Sequence, residues 1–332
     1  MREQLAAKAK RVAKDKVARK VSGGGSGGSG RSGGSGGKKK KGGMIIGCIL
    51  LVIALGAGAF FAYQFGLLDG LFQPAEPGEP QQELFVHFID VGQGDAILIH
   101  APEGTMLIDA ATRRMAPTII EYIQDLGITY LTYIVATHPH YDHIGGFPAI
   151  MDVFPVHNVL IPDVMHDTQA FLRFMNAIDA QGLEYTVAVP GDAFSLGEAQ
   201  FTVLGPAITG HGRLNDYSVV LRLQYGQRSF VFTGDVERRG EDAIVESGLN
   251  LRADVFQAPH HGSQSSSTEG FIDAVTPTYV VISVGSYNTY GHPHDVVMER
   301  FQARGLQILR TDESGSIVFE TDGIDLTHRT ER

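Results

Sequence analysis

An apolar run without a single charge, Met44 to Leu68, divides this chain of 332 residues into two dissimilar parts. Its 25 residues are enough to cross a bilayer as one helix, for which about 20 are needed. Phe60, Phe61, Tyr63 and Phe65 lie toward its C-terminal end, as aromatic residues at a membrane interface do. No second run in the sequence approaches this length, so a channel with several spans is excluded. We therefore predict one transmembrane helix over residues 44–68, which contacts the lipid bilayer.

The two flanks of this run carry opposite charges, which predicts the orientation. Residues 1–43 hold 13 of the 27 Lys and Arg but only two of the 37 Asp and Glu, a net +11, whereas the remainder carries −21. Four lysines, Lys38 to Lys41, precede the run, and Asp69 is the first charge after it. The positive-inside bias then predicts a cytoplasmic N-terminus, an uncleaved signal anchor in the cell membrane and an extracellular C-terminal part.

Composition divides the chain into four segments. Residues 1–43 form a basic tail with a Gly/Ser linker, residues 44–68 the anchor, residues 69–83 a Pro-rich spacer, and residues 84–332 a folded domain. In this last segment, apolar strands alternate with amphipathic helices, which we predict at about 116–126, 237–247 and 295–304. This alternation indicates a layered α/β architecture with the helices outside. The only cysteine, Cys48, precedes the domain, so disulfides do not hold it together.

The segment from Thr137 to Gly146 (THPHYDHIGG) directly follows an apolar strand and is rich in metal-ligand types. His138 and His140 are two apart on an extended loop, so they project the same way and can bind one ion. Asp142 and His143 then face a second ion. Zn²⁺ and other borderline metals accept this mixture of imidazole and carboxylate.

Similar side chains recur where other predicted strands end. Asp109 ends the strand TMLID, Asp235 ends FTGD, and His260 and His261 follow the strand VFQ in the sequence APHHGS. Several strand ends that deliver polar groups to one edge of an apolar sheet indicate a site on a rigid scaffold.

The order of HxHxDH, FTGD and HHGS resembles the metallo-β-lactamase superfamily. More narrowly, FIDVGQGDA (residues 88–96) and APHHGS (residues 258–263) resemble the hydrolase domain of ComEC-type competence proteins. The resemblance covers residues 84 to about 322. It implies a four-layer αββα sandwich, preceded here by the transmembrane helix, with two divalent metal ions at one edge.

The resemblance also implies the role of each site residue. His138 and His140 would bind the first ion, Asp142 and His143 the second, and Asp235 both. His260 would complete the second site, with His261 the next choice. The other implied residues are Asp109, which would orient the ligand loop, and Asp95, which would help to define the pocket.

One position departs from the superfamily pattern, in which a further His often binds the first ion. Here the corresponding region reads HGRLNDYS (residues 211–218), and Asn215, Asp216 or a water would take its place. An oxygen-rich first site accepts Mn²⁺ as well as Zn²⁺.

For the chemistry, two cations and Asp142 would supply and orient a water nucleophile, and an imidazole of the segment YGHPH (residues 290–294) would protonate the leaving group. We expect His292 in this role, with His294 in the pocket. The alternative is that this segment is only the loop that enters a helix before Asp295.

The sequence thus predicts a membrane-anchored extracytoplasmic metal-dependent hydrolase, most simply a phosphodiesterase or nuclease that acts on extracellular DNA or related phosphodiesters. The charge of −21 disfavours strong nonspecific DNA binding, because phosphate contacts use Lys and Arg. A small cell-surface phosphodiester is therefore an alternative substrate. A noncatalytic metal-binding module of a DNA-uptake or envelope assembly is the alternative outside the enzyme class.

Overall fold

A computed structural model describes residues 83–208 and 212–332. The predicted tail and anchor, the predicted spacer up to residue 82, and His211 lie outside these residues. In the described part, none of the helices has the length and apolar character needed to cross a membrane.

The described residues form strands that we number in chain order. The first sheet contains β1 Leu84–Phe88, β2 Ile97–Ala101, β3 Gly104–Ile108, β4 Leu131–Val135, β5 Val156–Ile161, β6 Tyr185–Val187, β14 Ile317–Thr321 and β15 Leu326–Thr330. The second contains β7 Ala193–Leu196, β8 Ala199–Gly205, β9 Val220–Tyr225, β10 Arg228–Phe232, β11 Val255–Gln257, β12 Tyr279–Ile282 and β13 Gln307–Arg310.

The strand order of the first sheet is β15-β14-β1-β2-β3-β4-β5-β6, and that of the second is β13-β12-β11-β10-β9-β8-β7. Each sheet has an antiparallel part and a parallel part. In the first sheet β3, β4, β5 and β6 run parallel, and in the second β10, β11, β12 and β13 do. The carboxyl ends of parallel strands lie at the same edge of a sheet, so the loops after them meet.

The helices, also numbered in chain order, are α1 Ala116–Asp125, α2 Tyr141–Ile144, α3 Phe147–Met151, α4 Gln169–Ala180, α5 Arg238–Glu246, α6 Glu269–Val275, α7 Asp295–Ala303 and α8 Thr311–Ser314. Short 3₁₀ turns occupy Arg113–Met115, Leu214–Tyr217 and Pro259–Gly262.

Three apolar layers hold these elements together. Side chains of α1 and α4, such as Ile119 and Phe174, pack on the outer face of the first sheet. Phe88 and Phe230 belong to the layer between the two sheets. On the outer face of the second sheet, Phe271 of α6 belongs to the layer that covers β11 and β12. The architecture is thus helices, sheet, sheet, helices, and the predicted α/β sandwich is confirmed.

Candidate metal centre

The histidine-rich loop follows β4 and leads directly into the short helix α2. His140 is the residue before that helix, His143 lies inside it, and both His138 and His143 are buried. Gly146 allows the loop to sit this deep. A Cβ atom at Gly146 would collide with the carbonyl oxygen of Ala110, so only glycine permits this close approach. The sequence GG after the motif therefore has a packing role.

Asp109, which follows β3, fixes the orientation of this loop. Its carboxylate accepts hydrogen bonds from the backbone N–H of Thr137 at 2.8 Å, from the Thr137 hydroxyl at 2.6 Å and from Nδ1 of His143 at 2.7 Å. Burial raises the pKa of Asp109, and the bonds from His143 and Thr137 oppose that rise. Since Nδ1 of His143 donates to Asp109, its Nε2 faces the centre of the site. Burial lowers the pKa of His143, but the carboxylates of Asp235 and Asp109 outweigh it and raise that pKa well above its usual value.

Asp235, which follows β10, occupies that centre. Its Oδ2 lies 3.3 Å from Nε2 of His143, 3.7 Å from Nε2 of His138 and 3.8 Å from Nε2 of His260. Its Oδ1 lies 3.5 Å from Nε2 of His261. Burial alone would raise the pKa of Asp235, but the imidazoles of His143 and His261 outweigh it and hold that pKa well below its usual range. One carboxylate thus faces four imidazoles.

Several buried polar atoms around Asp235 have no hydrogen-bond partner among the described residues. They include Nε2 of His143, Nε2 of His261, Oδ1 of Asp235 and Oδ1 of Asp95. Buried polar atoms without partners are rare because leaving them unpaired costs free energy. Imidazole nitrogen and carboxylate oxygen are the donors that Zn²⁺ and Mn²⁺ accept, so the site fits divalent cations.

Among the described residues, four groups of three side chains bring one donor atom each within 4.8 Å of one another. Two of them face the cavity side of the site: His138, His143 and Asp235 form one, and Asp142, His143 and His261 form the other. The two remaining groups contain Asp95, with Asp109 and His143 in one and with Asp235 and His261 in the other. His140 adjoins the first group, since its Nδ1 lies 2.9 Å from Nε2 of His138. The structure thus brings together the whole HxHxDH motif and Asp235.

The two histidines of APHHGS lie on different sides of Asp235, and this differs from the prediction. His261, rather than His260, lies in the group with Asp142, because Nε2 of His261 is 3.9 Å from Oδ2 of Asp142. Nδ1 of His261 donates to the carbonyl oxygen of Ser283 at 2.9 Å, which leaves Nε2 for the centre. Both histidines have a positive φ, 54° and 56°, and this unusual turn separates their rings.

Nδ1 of His260 instead faces Asn215 and Glu237. Asn215 belongs to the segment in which the superfamily pattern often has a further histidine. Nδ1 of His260 lies 3.3 Å from the Ser265 hydroxyl, 3.4 Å from Nδ2 of Asn215 and 3.6 Å from Oε1 of Glu237. Asn215 donates to Glu237 at 3.2 Å, and its own Oδ1 is buried without a partner among the described residues. The predicted position of Asn215 in the site thus agrees with the geometry.

Glu237 is a site residue that the sequence did not reveal. Its carboxylate is almost buried and also accepts from Arg213 at 2.9 Å. The one signal in the sequence is its spacing, since Glu237 lies two residues after Asp235 in the same strand-end loop.

Asp95 lies next to His143 and His261, at the end of the glycine-rich turn that follows β1. Oδ2 of Asp95 accepts from Nε2 of Gln257 at 2.8 Å, and its carboxylate lies 3.7 Å from Nδ1 of His143. Burial raises the pKa of Asp95 to about 6, although His261 and His143 lower it. A Cβ atom at Gly94 would collide with the carbonyl oxygen of Asp142, so this turn must approach the site through glycine.

A cavity of about 300 Å³ opens onto these groups. Its lining residues are Gln93, His140, Tyr141, Asp142, Asn215, Asp235, His260, His261, Tyr290 and His292. Asp142 is half-buried at its entrance. The cavity is large enough for one small group of a substrate next to the buried ligands.

The two further histidines that we considered have different surroundings. His292 lines the cavity, but burial, followed by the nearby His260 and His261, lowers the pKa of His292 to about 4. At neutral pH its ring is therefore neutral, and the prediction of a protonated general acid at this position loses its support. His294 instead precedes α7, and its Nδ1 accepts from the backbone N–H of Gln264 at 3.0 Å, a structural contact outside the cavity lining.

The comparisons with known proteins agree with this geometry. A family model of the metallo-beta-lactamase superfamily matches residues 89–286. ComE operon protein 3 of Bacillus subtilis is 31% identical over 252 residues, which are 70% of this chain and 32% of that protein. Competence protein ComA of Neisseria gonorrhoeae is 29% identical over 277 residues, 83% of this chain and 38% of that protein.

This chain thus spans about a third of the length of the curated relatives that it matches. Among solved structures, the metallo-beta-lactamase fold protein YhfI of Bacillus subtilis gives a TM-score of 0.49 at 11% identity, over 72% of this chain and 100% of that one. Members of the matched superfamily are mostly metal-dependent hydrolases. Since the family model covers more than half of the sequence and the curated relatives are competence proteins, this chain belongs to the metallo-β-lactamase superfamily as a ComEC-like member.

Proposed function

We propose that this protein is a metal-dependent hydrolase of phosphodiesters. The observation that carries the proposal is the set of buried, unpartnered donor atoms that converge on Asp235. Two divalent cations held there, Zn²⁺ or Mn²⁺, would polarise a phosphoryl oxygen and make a water more acidic. His138, His140 and Asp235 would hold the first cation, with Asn215 and His260 beside it. Asp142, His143, His261 and Asp235 would hold the second.

The remaining residues would position the substrate and the ligands. Asp109 and the Ser283 carbonyl hold His143 and His261 with Nε2 toward the centre. Asp142 lines the cavity, is 32% exposed and lies close to a buried ligand, with Oδ2 4.0 Å from Nε2 of His143, whereas Asp235, which also lines the cavity, is buried. Asp142 is therefore placed to accept a proton from an attacking water. His292, neutral at pH 7, would act as a hydrogen-bond partner of the substrate.

Metal content and hydrolysis of bis-p-nitrophenyl phosphate by the full chain test this proposal together. We expect two metal ions per chain and activity that chelation abolishes. Asp142→Ala should lower kcat by roughly 10²-fold or more, as loss of a general base does, whereas exposed Asp163→Asn should change nothing. A protein that binds metal but hydrolyses no phosphodiester would be a noncatalytic module, and a metal-free protein would end the proposal.

We further propose that residues 44–68 anchor the domain to the cell membrane with residues 84–332 outside. The charge difference across the apolar run supports this orientation. Protease added to intact cells should remove the domain. Its full protection would contradict the orientation without affecting the proposed chemistry.

A further inference from the structure

The metal centre adjoins a serine-rich segment, SQSSST (residues 263–268), which leads from the two histidines of APHHGS into α6. We call this segment the serine loop. Its residues are buried except Gln264, which is exposed, and Ser265, which is half-buried. The Ser265 hydroxyl lies 3.3 Å from Nδ1 of His260. The serine loop therefore contacts a proposed metal ligand at the ring nitrogen that is not turned toward Asp235.

Two charged side chains, from α5 and α7, hold the middle of the serine loop. Glu241 of α5 is buried, and its carboxylate accepts hydrogen bonds from the backbone N–H groups of Ser267 and Thr268, at 2.5 and 2.9 Å. Arg300 of α7 donates through Nη1 to the carbonyl oxygens of Ser266 and Ser267, at 3.1 and 3.0 Å. A carboxylate thus binds the N–H groups of this stretch, and a guanidinium binds its carbonyl oxygens.

These four hydrogen bonds hold an unusual backbone conformation. Ser267 has a φ of 53°, in the left-handed region that residues other than glycine seldom occupy. Such a conformation costs free energy and persists only where the surrounding contacts impose it. The Ser267 hydroxyl is buried without a hydrogen-bond partner among the described residues, so its own side chain does not stabilise the turn. Glu241 and Arg300 therefore determine the path of the loop.

The serine loop is also joined to the loop that carries Asp235. The backbone carbonyl oxygen of Ser265 accepts from the N–H of Arg238 at 3.0 Å, and the Ser266 hydroxyl donates to the carbonyl oxygen of Val236 at 2.9 Å. Both partners lie within three residues of Asp235. The position of Ser265 is therefore fixed relative to the carboxylate at the centre of the site.

The contacts at Nδ1 of His260 are longer than those of the two buried histidines His143 and His261. Nδ1 of His143 and Nδ1 of His261 each have one acceptor within 2.9 Å. Nδ1 of His260 has three polar neighbours, and the nearest is the Ser265 hydroxyl at 3.3 Å. Groups at the outer nitrogen of a ligand histidine orient its ring and change metal affinity. A displacement of Ser265 should therefore change how His260 meets a cation.

We propose that Glu241 and Arg300 are positioning residues for the metal ligand His260, on which they act through the serine loop. This inference rests on the proposed metal binding, and it adds two side chains that do not line the metal cavity. A purely structural role, such as fixing the start of α6, would lower folding stability when either side chain is lost but would leave metal affinity unchanged. Metal affinity therefore separates the two roles.

Titration of the metal-free full chain with Mn²⁺ measures the two expected binding steps. Burial raises the pKa of Glu241 to about 7, so the titration is done at pH 8, at which its carboxylate is ionised. Arg300→Met should weaken one step by about 3- to 10-fold, at or below the low end of the range for groups that orient a metal ligand, and leave the other step unchanged. Ser265→Ala, which removes the contact itself, should weaken the same step by about tenfold.

Matched variants show whether the effect belongs to the serine loop. Arg300→Lys should keep most of the affinity, because an ammonium group can also donate to both carbonyl oxygens. Arg304→Met should change neither step, since the Arg304 side chain pairs with Asp273 and Glu269 at the surface. Glu241→Gln leaves one oxygen for two N–H groups and should act in the same direction as Arg300→Met. The Arg300 variants keep the test decisive even where Glu241→Gln does not fold.

The double variant Ser265→Ala/Arg300→Met tests whether Arg300 acts through the serine loop. Independent effects of two substitutions add, whereas effects that pass through one shared contact do not. Once the Ser265 hydroxyl is gone, loss of Arg300 should therefore change the weakened step by less than about twofold.

The ring of His260 gives a second readout, without metal. Long-range ¹⁵N–¹H spectra of the histidine-labelled metal-free chain distinguish the Nδ1 environments of individual rings, and His260→Gln assigns the signal. The His260 signals should shift in Arg300→Met and in Ser265→Ala, and return toward the wild-type position in Arg300→Lys. The His143 signals should stay in place, because Asp109 fixes that ring.

Unchanged Mn²⁺ affinity in Arg300→Met, an equal loss in Arg304→Met, or fully additive losses in the double variant would overturn the inference. Weakening of both binding steps together would do so as well, because it would indicate a general loosening of the fold. A wild-type chain that binds no Mn²⁺ contradicts the proposed metal centre, and this inference with it. Two binding steps without hydrolysis of bis-p-nitrophenyl phosphate contradict only the proposed activity, and the positioning role then stands or falls on the variants.

Discussion

The inner and outer halves of the metal centre are built differently. We define the inner half as a set of six buried residues, Asp95, Asp109, His138, His143, Asp235 and His261. In this half, Nδ1 of His143 has a carboxylate partner at 2.7 Å, and Nδ1 of His261 a backbone carbonyl at 2.9 Å. Each ring therefore has one fixed orientation before any cation binds.

The outer half comprises His140, Asp142, His260 and His292, which are all partly exposed. Here the contacts are looser. Nδ1 of His260 has three polar neighbours between 3.3 and 3.6 Å, and Asp142 is 32% exposed. The difference indicates that the inner half is fixed in place and contributes to folding. The outer half, which would complete the two cation sites, has more freedom to adjust.

The largest expected difference between the halves is in folding stability. Asp235→Ala removes the carboxylate that faces buried His143 and His261, and loss of one partner of a buried ion pair costs about 3–5 kcal/mol. Asp142→Ala, in the outer half, should cost less than about 1 kcal/mol, as exposed ion pairs do. Urea unfolding of the chelated protein, followed by circular dichroism, measures both. Equal losses of unfolding free energy would show that the two halves do not differ.

The second prediction concerns the pH dependence of folding stability, because Asp95 is a buried carboxylate. The pKa of Asp95 rises from 3.8 in the unfolded chain to about 6 in the fold, chiefly through burial. A raised pKa contributes stability below pH 3.8 that is lost as the pH rises through 6. Above pH 6 the ionised carboxylate therefore costs up to about 3 kcal/mol in the metal-free protein.

Asp95→Asn has no such charge and can still accept from Gln257. The variant should therefore be more stable than the wild type at about pH 8, and this advantage should vanish near pH 4. Urea unfolding at both pH values gives the comparison, with exposed Asp163→Asn as the control. A constant difference at the two pH values would contradict the assignment of this cost to ionisation.

The sequence was sufficient to predict the layered fold and to single out most residues of the inner half as candidates. Helices expected at 116–126, 237–247 and 295–304 are observed at Ala116–Asp125, Arg238–Glu246 and Asp295–Ala303. The alternation of strands and helices indicated the layers, and strand-end residues such as Asp109 and Asp235 indicated the edge. These signals are local, since each depends on residues that are adjacent in the chain.

The parts that were not predicted depend on contacts between distant segments. The choice between His260 and His261 depends on two successive positive φ angles, which the dipeptide HH does not reveal. The lowered pKa of His292 depends on burial and on histidines that are about 30 residues away in the sequence. Glu237 is recognisable only once Asn215 and His260 are seen beside it.

The smallest expected effect concerns the carboxylate of Glu237, which contacts His260 of the outer half. Glu237→Gln keeps the size of the side chain but removes the charge near Nδ1 of His260, at 3.6 Å, and weakens the bond to Arg213. Groups that orient a metal ligand change metal affinity by about 10- to 100-fold. Because Ser265 also contacts Nδ1 of His260, at 3.3 Å, we expect the low end of this range, about tenfold.

The effect should appear at one cation only, since Glu237 does not contact the second group of ligands. Titration of the chelated full chain with Mn²⁺ should show one weakened and one unchanged binding step. Glu246→Gln is the matched control, because Glu246 is exposed and lines the same wide cavity as Glu237, away from His260. If both binding steps weaken together, Glu237 supports the whole centre and the division into two halves fails at this position. If only one step weakens, the outer half completes the binding site of one cation, and His260 supplies the ligand that the superfamily pattern lacks here.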